Sequence, residues 1–156
     1  MGKELDKGSN APDFNGVCDG DKSLKLSSLI GKNIIIYFYP KDDTPGCTKE
    51  SCEFGAANND FLKLETVIIG VSKDSVARHN KFKVKYNLPF LLVSDESGKI
   101  CESYGVWREK KNYGKTYMGI ERSTFLIDKK GLIQKVWRKV RVSGHVDAVM
   151  NELVNL

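Results

Sequence analysis

The sequence predicts an α/β fold with a central mixed β-sheet, helices on both of its faces and a short β extension at the N-terminus. Three near-continuous runs of β-branched and aromatic residues carry this prediction, namely residues 33–39, 66–72 and 90–94. Uninterrupted apolar runs of this length are typical of parallel strands that are buried on both faces. Two further β-type runs, residues 122–128 and 132–138, surround a Lys-Lys-Gly turn and predict an antiparallel hairpin.

The segments between these runs show helical periodicity. Residues 48–64 place apolar or small side chains three to four positions apart, after a loop that ends with Pro45 and Gly46. Residues 97–104 predict a shorter helix, closed by a glycine. Apolar residues at i, i+3, i+4 and i+7 over residues 146–153 predict a final amphipathic helix.

The helix predicted after residues 66–72 contains one of the two histidines of the chain. Asp74 and Ser75 can cap this helix, which we expect to run to about Asn87. His79 shares one helical stripe with apolar residues, so we interpret it as a residue of the helix face. A catalytic histidine at this position is the less favoured alternative.

The order of the predicted elements identifies the architecture. Residues 14–29 contain glycine turns and an alternating polar and apolar stretch, which predict short strands or a small hairpin. The remaining order is β-α-β-α-β-α-β-β-α, with parallel crossovers first and an antiparallel hairpin last. This is the thioredoxin-like arrangement.

Length and composition predict one globular domain over residues 1–156. Hydrophobic residues make up 40% of the chain and charged residues 29%, which excludes a disordered or fibrous protein. The longest apolar run, residues 34–39, is far shorter than the ~20 residues that a membrane helix needs. Residues 1–7 contain no apolar signal segment, and we therefore expect a cytoplasmic protein without a membrane partner.

The formal net charge of +5 concentrates between Gly105 and Arg122, where basic side chains alternate with aromatic ones. Such interleaving occurs in proteins that bind single-stranded nucleic acid. The segment has no RNA-binding fingerprint, however, so we favour a solvated loop and expect no nucleic-acid partner.

The four cysteines narrow the search for a chemical site. A structural zinc site needs closely spaced Cys or His pairs, and the closest pair here, Cys47 and Cys52, has four residues between its members. Cys18 and Cys101 are interpreted as incidental small hydrophobic residues. We therefore predict no metal site, and Cys47 and Cys52 are the candidates for chemistry.

Cys47 lies where an α/β fold gathers reactive groups. It follows a buried strand and a short loop, and the predicted helix begins beside it. A helix N-terminus favours the thiolate, which is the nucleophilic form of a cysteine. Thr44 can turn its hydroxyl towards the sulfur, and Pro40 can form a rigid wall of the site. Ordinary turn formation is the alternative explanation for both residues.

These residues also resemble a known family. The pattern Pro40-x-x-x-Thr44-x-x-Cys47, within residues 38–52, is similar to the active site of peroxiredoxins of the bacterioferritin comigratory protein or PrxQ group. The resemblance covers nearly the whole chain. Its other parts are residues 11–14 (APDF), 88–90 (LPF), 94–95 (SD) and 119–128 (GIERSTFLID).

The resemblance implies a thiol-dependent peroxidase that reduces hydrogen peroxide and organic hydroperoxides. It implies that Cys47 is the peroxidatic cysteine and that Pro40, Thr44 and Arg122 complete its pocket. Cys52 matches the resolving cysteine of the group, which forms a disulfide with Cys47 that thioredoxin or a similar dithiol reduces. No metal, flavin or haem is implied, and a monomer is expected because both cysteines belong to one chain.

Two alternatives from other classes remain open at this point. A general thiol–disulfide oxidoreductase of the same fold would carry a second cysteine at position 50, where this chain has Glu50. A non-enzymatic binding module would use the basic aromatic segment. Glu50 itself can pair with Arg122 behind the sulfur, or it can be an ordinary acidic residue of a first helical turn.

Overall fold

The computed structural model describes residues 5–156. The strands within this range are β1 (Asn15–Cys18), β2 (Ser23–Lys25), β3 (Asn33–Phe38), β4 (Thr66–Ser72), β5 (Leu91–Ser94), β6 (Trp107–Asn112), β7 (Lys115–Ile120), β8 (Ser123–Ile127) and β9 (Ile133–Trp137). The α-helices are α1 (Pro45–Lys63), α2 (Val76–Tyr86), α3 (Lys99–Ser103) and α4 (His145–Val154).

Seven strands form one mixed sheet in the order β2-β1-β5-β4-β3-β8-β9. Strand β4 pairs in parallel with β3 and β5, whereas β1, β8 and β9 join antiparallel to their neighbours. The three apolar runs are therefore adjacent strands in the middle of the sheet. The predicted mixed α/β sheet, its N-terminal hairpin and its C-terminal hairpin are confirmed.

Strand β3 explains why the sheet is covered on both faces. Ile35 and Tyr37 belong to a core with α1, α2 and α4, while Ile36 and Phe38 belong to a core with α3 on the other face. All four side chains are fully buried. Since successive side chains of a strand point to opposite faces, an all-apolar strand needs a layer on each side.

The helix ends differ from the prediction at two places. Helix α1 begins at Pro45, so the expectation that Pro45 and Gly46 end the preceding loop is wrong. Proline suits the first turn of a helix because its missing N–H has no partner there in any case. Helix α3 begins at Lys99, two residues after the predicted start, because Gly98 before it has a left-handed backbone with φ +79°.

Helix α2 follows its prediction closely. The hydroxyl oxygen of Ser75 accepts a hydrogen bond from the Arg78 N–H at 3.2 Å, which caps the first turn. Asn87 adopts the left-handed conformation just beyond the last turn, as asparagine commonly does at that position.

The basic aromatic segment is not the solvated loop that we expected. It forms a separate two-stranded antiparallel sheet, β6–β7, in which Trp107 pairs with Ile120. Tyr113 and Gly114 connect the strands with φ values of +51° and +73°, as a tight hairpin turn requires. Most side chains of the hairpin are polar and exposed. The alternation of polar and apolar residues that predicts a strand is therefore missing from this segment.

Helices that could cross a lipid bilayer are absent from residues 5–156. The expectation about a signal segment concerns residues 1–7, of which the first four lie outside the described residues.

His145 joins α4 to the rest of the domain. Its Nε2 lies 2.8 Å from the Thr124 hydroxyl, and its ring meets the rings of Phe54 and Trp137 edge to face. Burial lowers the pKa of His145 to about 4, and the charge of Arg122 adds to this effect. The folded protein therefore holds this ring in its neutral form at neutral pH.

This buried histidine predicts a loss of stability in mild acid. The unfolded chain protonates His145 near its ordinary pKa of ~6.5 and the folded chain only near 4, so acid favours unfolding between these values. We expect His145 to lower the free energy of unfolding by about 2 kcal/mol between pH 7 and pH 5. Urea unfolding of wild type and His145→Gln at both pH values isolates this contribution, and an identical pH dependence of the two proteins would contradict it.

Candidate active site

The candidate site lies where β3 ends and α1 begins. Thr44 is the N-cap of α1 and Pro45 its first residue, so Cys47 occupies the third position of the first turn. Backbone N–H groups of a first turn have no acceptor within their own helix. Together with the helix dipole they surround Cys47 with partial positive charge, which favours an anion at its sulfur.

Arg122 reaches this sulfur from the other side of the site. Its Nη2 donates a hydrogen bond to the Cys47 Sγ at 3.2 Å, and its Nη1 donates to Glu50 Oε1 at 2.7 Å. Arg122 comes directly before β8, which pairs antiparallel with β3 through Phe38 and Ser123. The register of these strands therefore brings residues 75 positions apart in the chain into contact.

Glu50 binds the Arg122 guanidinium through the nitrogen that does not contact Cys47. Glu50 is completely buried and lies one helical turn after Cys47, so both side chains lie near the same face of α1. Burial raises the pKa of Glu50 to about 7, with Glu53 adding to the rise and Arg122 opposing it. Burial lowers the pKa of Arg122, but Glu50 and Cys47 outweigh it and raise the net value. The guanidinium therefore stays charged at every physiological pH.

Gly46 leaves room for this arrangement. A Cβ atom at Gly46 would lie 3.2 Å from the Arg122 Nη2, closer than an ordinary contact. Any side chain here would therefore press on the nitrogen that binds Sγ. Gly46 thus has a steric role that the sequence pattern alone does not indicate.

Thr44 and Pro40 frame the loop before Cys47. The Thr44 hydroxyl donates to the Lys41 carbonyl at 2.8 Å, so its proton does not point to the sulfur as we expected. Its oxygen can still accept a hydrogen bond from a bound molecule. Pro40 is exposed directly after the last buried residue of the β3 segment, so it meets solvent and does not form a closed wall.

The other cysteines have different surroundings. All four cysteines are free thiols, and Cys52 is partly buried on α1, where burial raises the pKa of its thiol. Cys18 and Cys101 are completely buried in the core on the opposite face of the sheet from Cys47. Burial, followed by the charge of Asp19, raises the pKa of Cys18 to about 11. Burial and Asp95 raise the pKa of Cys101 further.

Lys110 on β6 is a residue near the site that sequence reasoning missed. Burial lowers the pKa of Lys110, and the neighbouring charge of Arg122 lowers it too, while Cys47 and Glu121 act in the opposite direction. The β6–β7 hairpin thus brings a second cation towards Cys47. The basic stretch was visible in the sequence, but only the folded hairpin brings Lys110 within electrostatic range of Arg122 and Cys47.

Among residues 5–156, Asp42, Asp74 and His79 form one group of metal-ligand type, with its three donor atoms within 4.8 Å of one another. These atoms already bind each other and neighbouring protein groups. A surface cavity of about 700 Å³, bordered by Asn33 and Leu64, lies at the end of the sheet away from Cys47. Neither feature adds a reactive group beside the sulfur.

The geometry suits nucleophilic chemistry at sulfur. Cys47 is only 1% exposed, its sulfur accepts a hydrogen bond from the Arg122 guanidinium, and it lies in the first turn of a helix, where backbone N–H groups have no acceptor within the helix. The same groups can stabilise negative charge on an oxygen atom that reacts with the sulfur.

The sequence profile of the AhpC/TSA family matches residues 7–136. Peroxiredoxin Bcp of Bacillus subtilis is 52% identical over 152 residues, which cover 97% of each chain. A putative peroxiredoxin of Coxiella burnetii is also 52% identical, over 96% of this chain and 99% of that protein.

Solved structures agree with these relatives. A cysteine-to-serine mutant of PrxQ from Xylella fastidiosa superposes with a TM-score of 0.93 at 35% identity, covering 99% of this chain and 98% of that one. The bacterioferritin comigratory protein of Xanthomonas campestris, described by its alkyl peroxide reduction activity, superposes with a TM-score of 0.88 at 43% identity, covering 91% and 90%.

The contacts of Arg122 predict how substitutions at this position change the rate at which Cys47 is oxidised. Arg122→Met removes the cation beside Sγ and leaves Glu50 buried without its partner, so oxidation of Cys47 by hydrogen peroxide should slow about 100-fold. Arg122→Lys keeps the positive charge but cannot bind Cys47 and Glu50 with two separate nitrogens. Its oxidation rate should therefore lie between those of wild type and Arg122→Met. Rapid-quench measurement of Cys47 oxidation checks this order, and a wild-type rate for Arg122→Met would remove Arg122 from the site.

Proposed function

Because the chain belongs to the AhpC/TSA family and is a thiol-dependent peroxidase of the peroxiredoxin type, we propose that Cys47 is its peroxidatic cysteine and Cys52 its resolving cysteine. The observation that carries this assignment is the hydrogen bond from the Arg122 guanidinium to the buried Cys47 sulfur. Cys18 and Cys101 lie instead in the core on the opposite face of the sheet, where burial raises the pKa of both thiols.

The substrate is a peroxide, and the first step forms a sulfur–oxygen bond. The Cys47 thiolate attacks one peroxide oxygen, the O–O bond breaks, and the second oxygen leaves as water or alcohol after taking up a proton. Arg122 and the N–H groups of the first turn of α1 stabilise the charge that develops on the oxygens. Thr44 offers its hydroxyl oxygen as an acceptor for the substrate proton, and Pro40 shapes the outer edge of the pocket.

The next steps return the sulfur to its reduced form. The sulfenic acid of Cys47 condenses with the Cys52 thiol, which releases water and forms a disulfide. A dithiol reductant of the thioredoxin type then opens this bond by thiol–disulfide exchange. We propose thioredoxin itself as the reductant.

The distance between the two cysteines requires a change of shape. Five helical steps separate them in α1, which places their Cα atoms about 8 to 9 Å apart and their side chains about 140° apart around the axis. A disulfide needs Cα atoms within about 7 Å. We therefore propose that the first turns of α1 unwind when Cys47 reaches Cys52.

We further propose one domain over residues 1–156 that works as a monomer in the cytoplasm. Both reacting thiols lie on one helix, so turnover needs no second chain. The seven-stranded sheet contains both the first strand, β1, and the last, β9, which supports a single domain.

Serine variants test the assignment of the cysteines. Cys47→Ser should abolish peroxide consumption in an assay with thioredoxin, thioredoxin reductase and NADPH, because a hydroxyl is far too weakly acidic to supply the nucleophile. Cys52→Ser should consume about one equivalent of peroxide and then stop, since attack precedes resolution. Cys18→Ser and Cys101→Ser serve as matched controls with rates close to wild type. Sustained turnover by either Cys47→Ser or Cys52→Ser would overturn the corresponding role.

Hydrogen exchange tests the unwinding of α1. Oxidation should accelerate amide exchange over residues 47–56, because the helical hydrogen bonds of this segment break when the disulfide forms. Strands β3 and β8 should stay protected in both redox states and provide the internal reference. Equal protection of residues 47–56 before and after oxidation would exclude local unwinding and would point to resolution by another thiol.

A further inference from the structure

The loop between β3 and α1 is held from inside the protein by one buried carboxylate. The Oδ1 of Asp42 accepts a hydrogen bond from the Tyr39 hydroxyl at 2.6 Å, and its Oδ2 lies 2.6 Å from His79 Nδ1. The backbone N–H of Asp42 donates to Asp74 Oδ2 at 2.7 Å. Asp42 is two residues before Thr44, the N-cap of the helix that carries Cys47.

The partners of His79 determine where its protons are. Its Nε2 lies 2.9 Å from the Val93 carbonyl oxygen, which can only accept, so Nε2 carries a proton. Its Nδ1 faces a carboxylate oxygen of Asp42, so a proton lies between these two atoms as well. The Tyr39 hydroxyl donates to the other oxygen of this carboxylate, so that oxygen acts as an acceptor and carries no proton. The two side chains therefore form an imidazolium–carboxylate pair.

This ion pair is shielded from water. The side chains of His79 and Asp42 are 0% and 2% exposed. The ionisable groups around the pair are Tyr39, directly after β3, and Asp74, in the loop after β4. Arg78 of α2 neutralises Asp74 at 3.0 Å. A buried carboxylate that loses its cation has no water to replace it.

Helix α2 also binds Asp43, the residue that follows Asp42 in the loop. Asp43 has a left-handed backbone with φ +59°, and its carboxylate accepts hydrogen bonds from Lys85 and Tyr86 near the end of α2. Two consecutive aspartates thus attach the loop to α2, one inside the protein and one at its surface. Only the inner attachment is out of reach of solvent.

We propose that His79 is a positioning residue for the reaction of Cys47. The imidazolium of His79 fixes Asp42, and Asp42 fixes the loop that sets the place of Thr44 and of the first N–H groups of α1. Without this cation, the Asp42 carboxylate turns towards water and carries the loop with it. His79 does not touch the sulfur and acts only through Asp42. This proposal rests on the proposed role of Cys47.

The chain offers a matched control on the same helix. Lys83, one turn after His79, pairs with the buried carboxylate of Asp19 at 2.8 Å. Asp19 also accepts from the Leu92 N–H, and within residues 5–156 its carboxylate makes no hydrogen bond to the loop before α1. Lys83→Gln and His79→Gln therefore each remove a cation from a buried carboxylate, but only the second releases the loop.

Single-turnover kinetics separate the two variants. His79→Gln should slow oxidation of Cys47 by hydrogen peroxide about 10- to 100-fold, because small errors in position cost rate steeply. Reduction of its disulfide by thioredoxin should stay near the wild-type rate, and Lys83→Gln should keep both rates. A wild-type oxidation rate in His79→Gln, or an equal loss in Lys83→Gln, would overturn the role of His79. Failure of wild-type Cys47 itself to react would overturn the proposed function instead.

Replacing the Asp42 carboxylate with an amide should partly restore the oxidation rate that His79→Gln loses. In Asp42→Asn the amide N–H can donate to a neutral His79 Nδ1 while its oxygen still accepts from Tyr39, so this variant should oxidise within a few-fold of wild type. In the His79→Gln background the same change should recover part of the lost rate, since no buried charge is then left unpaired. No recovery would contradict a mechanism that acts through Asp42.

Nuclear magnetic resonance of the ring reports the pair directly and does not require His79→Gln to fold. The His79 ring of the wild type should show two slowly exchanging N–H protons at neutral pH, and the ring of Asp42→Asn should show one. A single ring proton in the wild type would overturn the ion pair and with it the proposal.

Discussion

The Arg122 guanidinium is the group on which the site depends, because it binds Cys47 and Glu50 at the same time. Its positive charge lies 3.2 Å from the sulfur of Cys47, which is only 1% exposed. An anion buried there without a cation would be strongly disfavoured. Glu50 in turn keeps the guanidinium from turning out to solvent. Breaking one side of such a buried pair typically costs about 3 to 5 kcal/mol, so these residues act as one unit.

The sheet provides the rigid support for this unit. Strand β3 delivers the loop and helix that carry Cys47, and β8, paired with it, delivers Arg122. The fully buried side chains of β3 lock both layers of the protein onto this strand. The position of the cation is therefore a property of strand register and not of a flexible side chain alone.

In the proposed mechanism, helix α1 is both ordered and able to open. Its first turns are helical when they present N–H groups to the peroxide, and they open when Cys47 reaches Cys52. Two buried carboxylate oxygens among the described side chains, one each on Glu50 and Glu53, lack a hydrogen-bond partner. Because unsatisfied buried groups are destabilising relative to a state in which water reaches them, these two oxygens favour local opening of this part of α1. The attachments of Asp42 and Asp43 to α2 oppose that opening from the loop side.

What the sequence determined by itself is the set of elements and the candidate nucleophile. Runs such as residues 33–39 and 66–72 are apolar on both faces, so their burial follows from composition, and a cysteine after such a strand and before a helix is chemically conspicuous. Tertiary structure decided which side chains meet. The contact between Cys47 and Arg122 depends on β3–β8 pairing, and the burial of His79 against Asp42 depends on how α2 packs over the loop. The β6–β7 hairpin escaped sequence analysis because its strands are polar, and only folding brings Lys110 within electrostatic range of Arg122 and Cys47. The periodicity of apolar residues shows which face of a segment is buried in the core. Contacts between distant segments depend on strand register and helix packing, which a local sequence pattern does not contain.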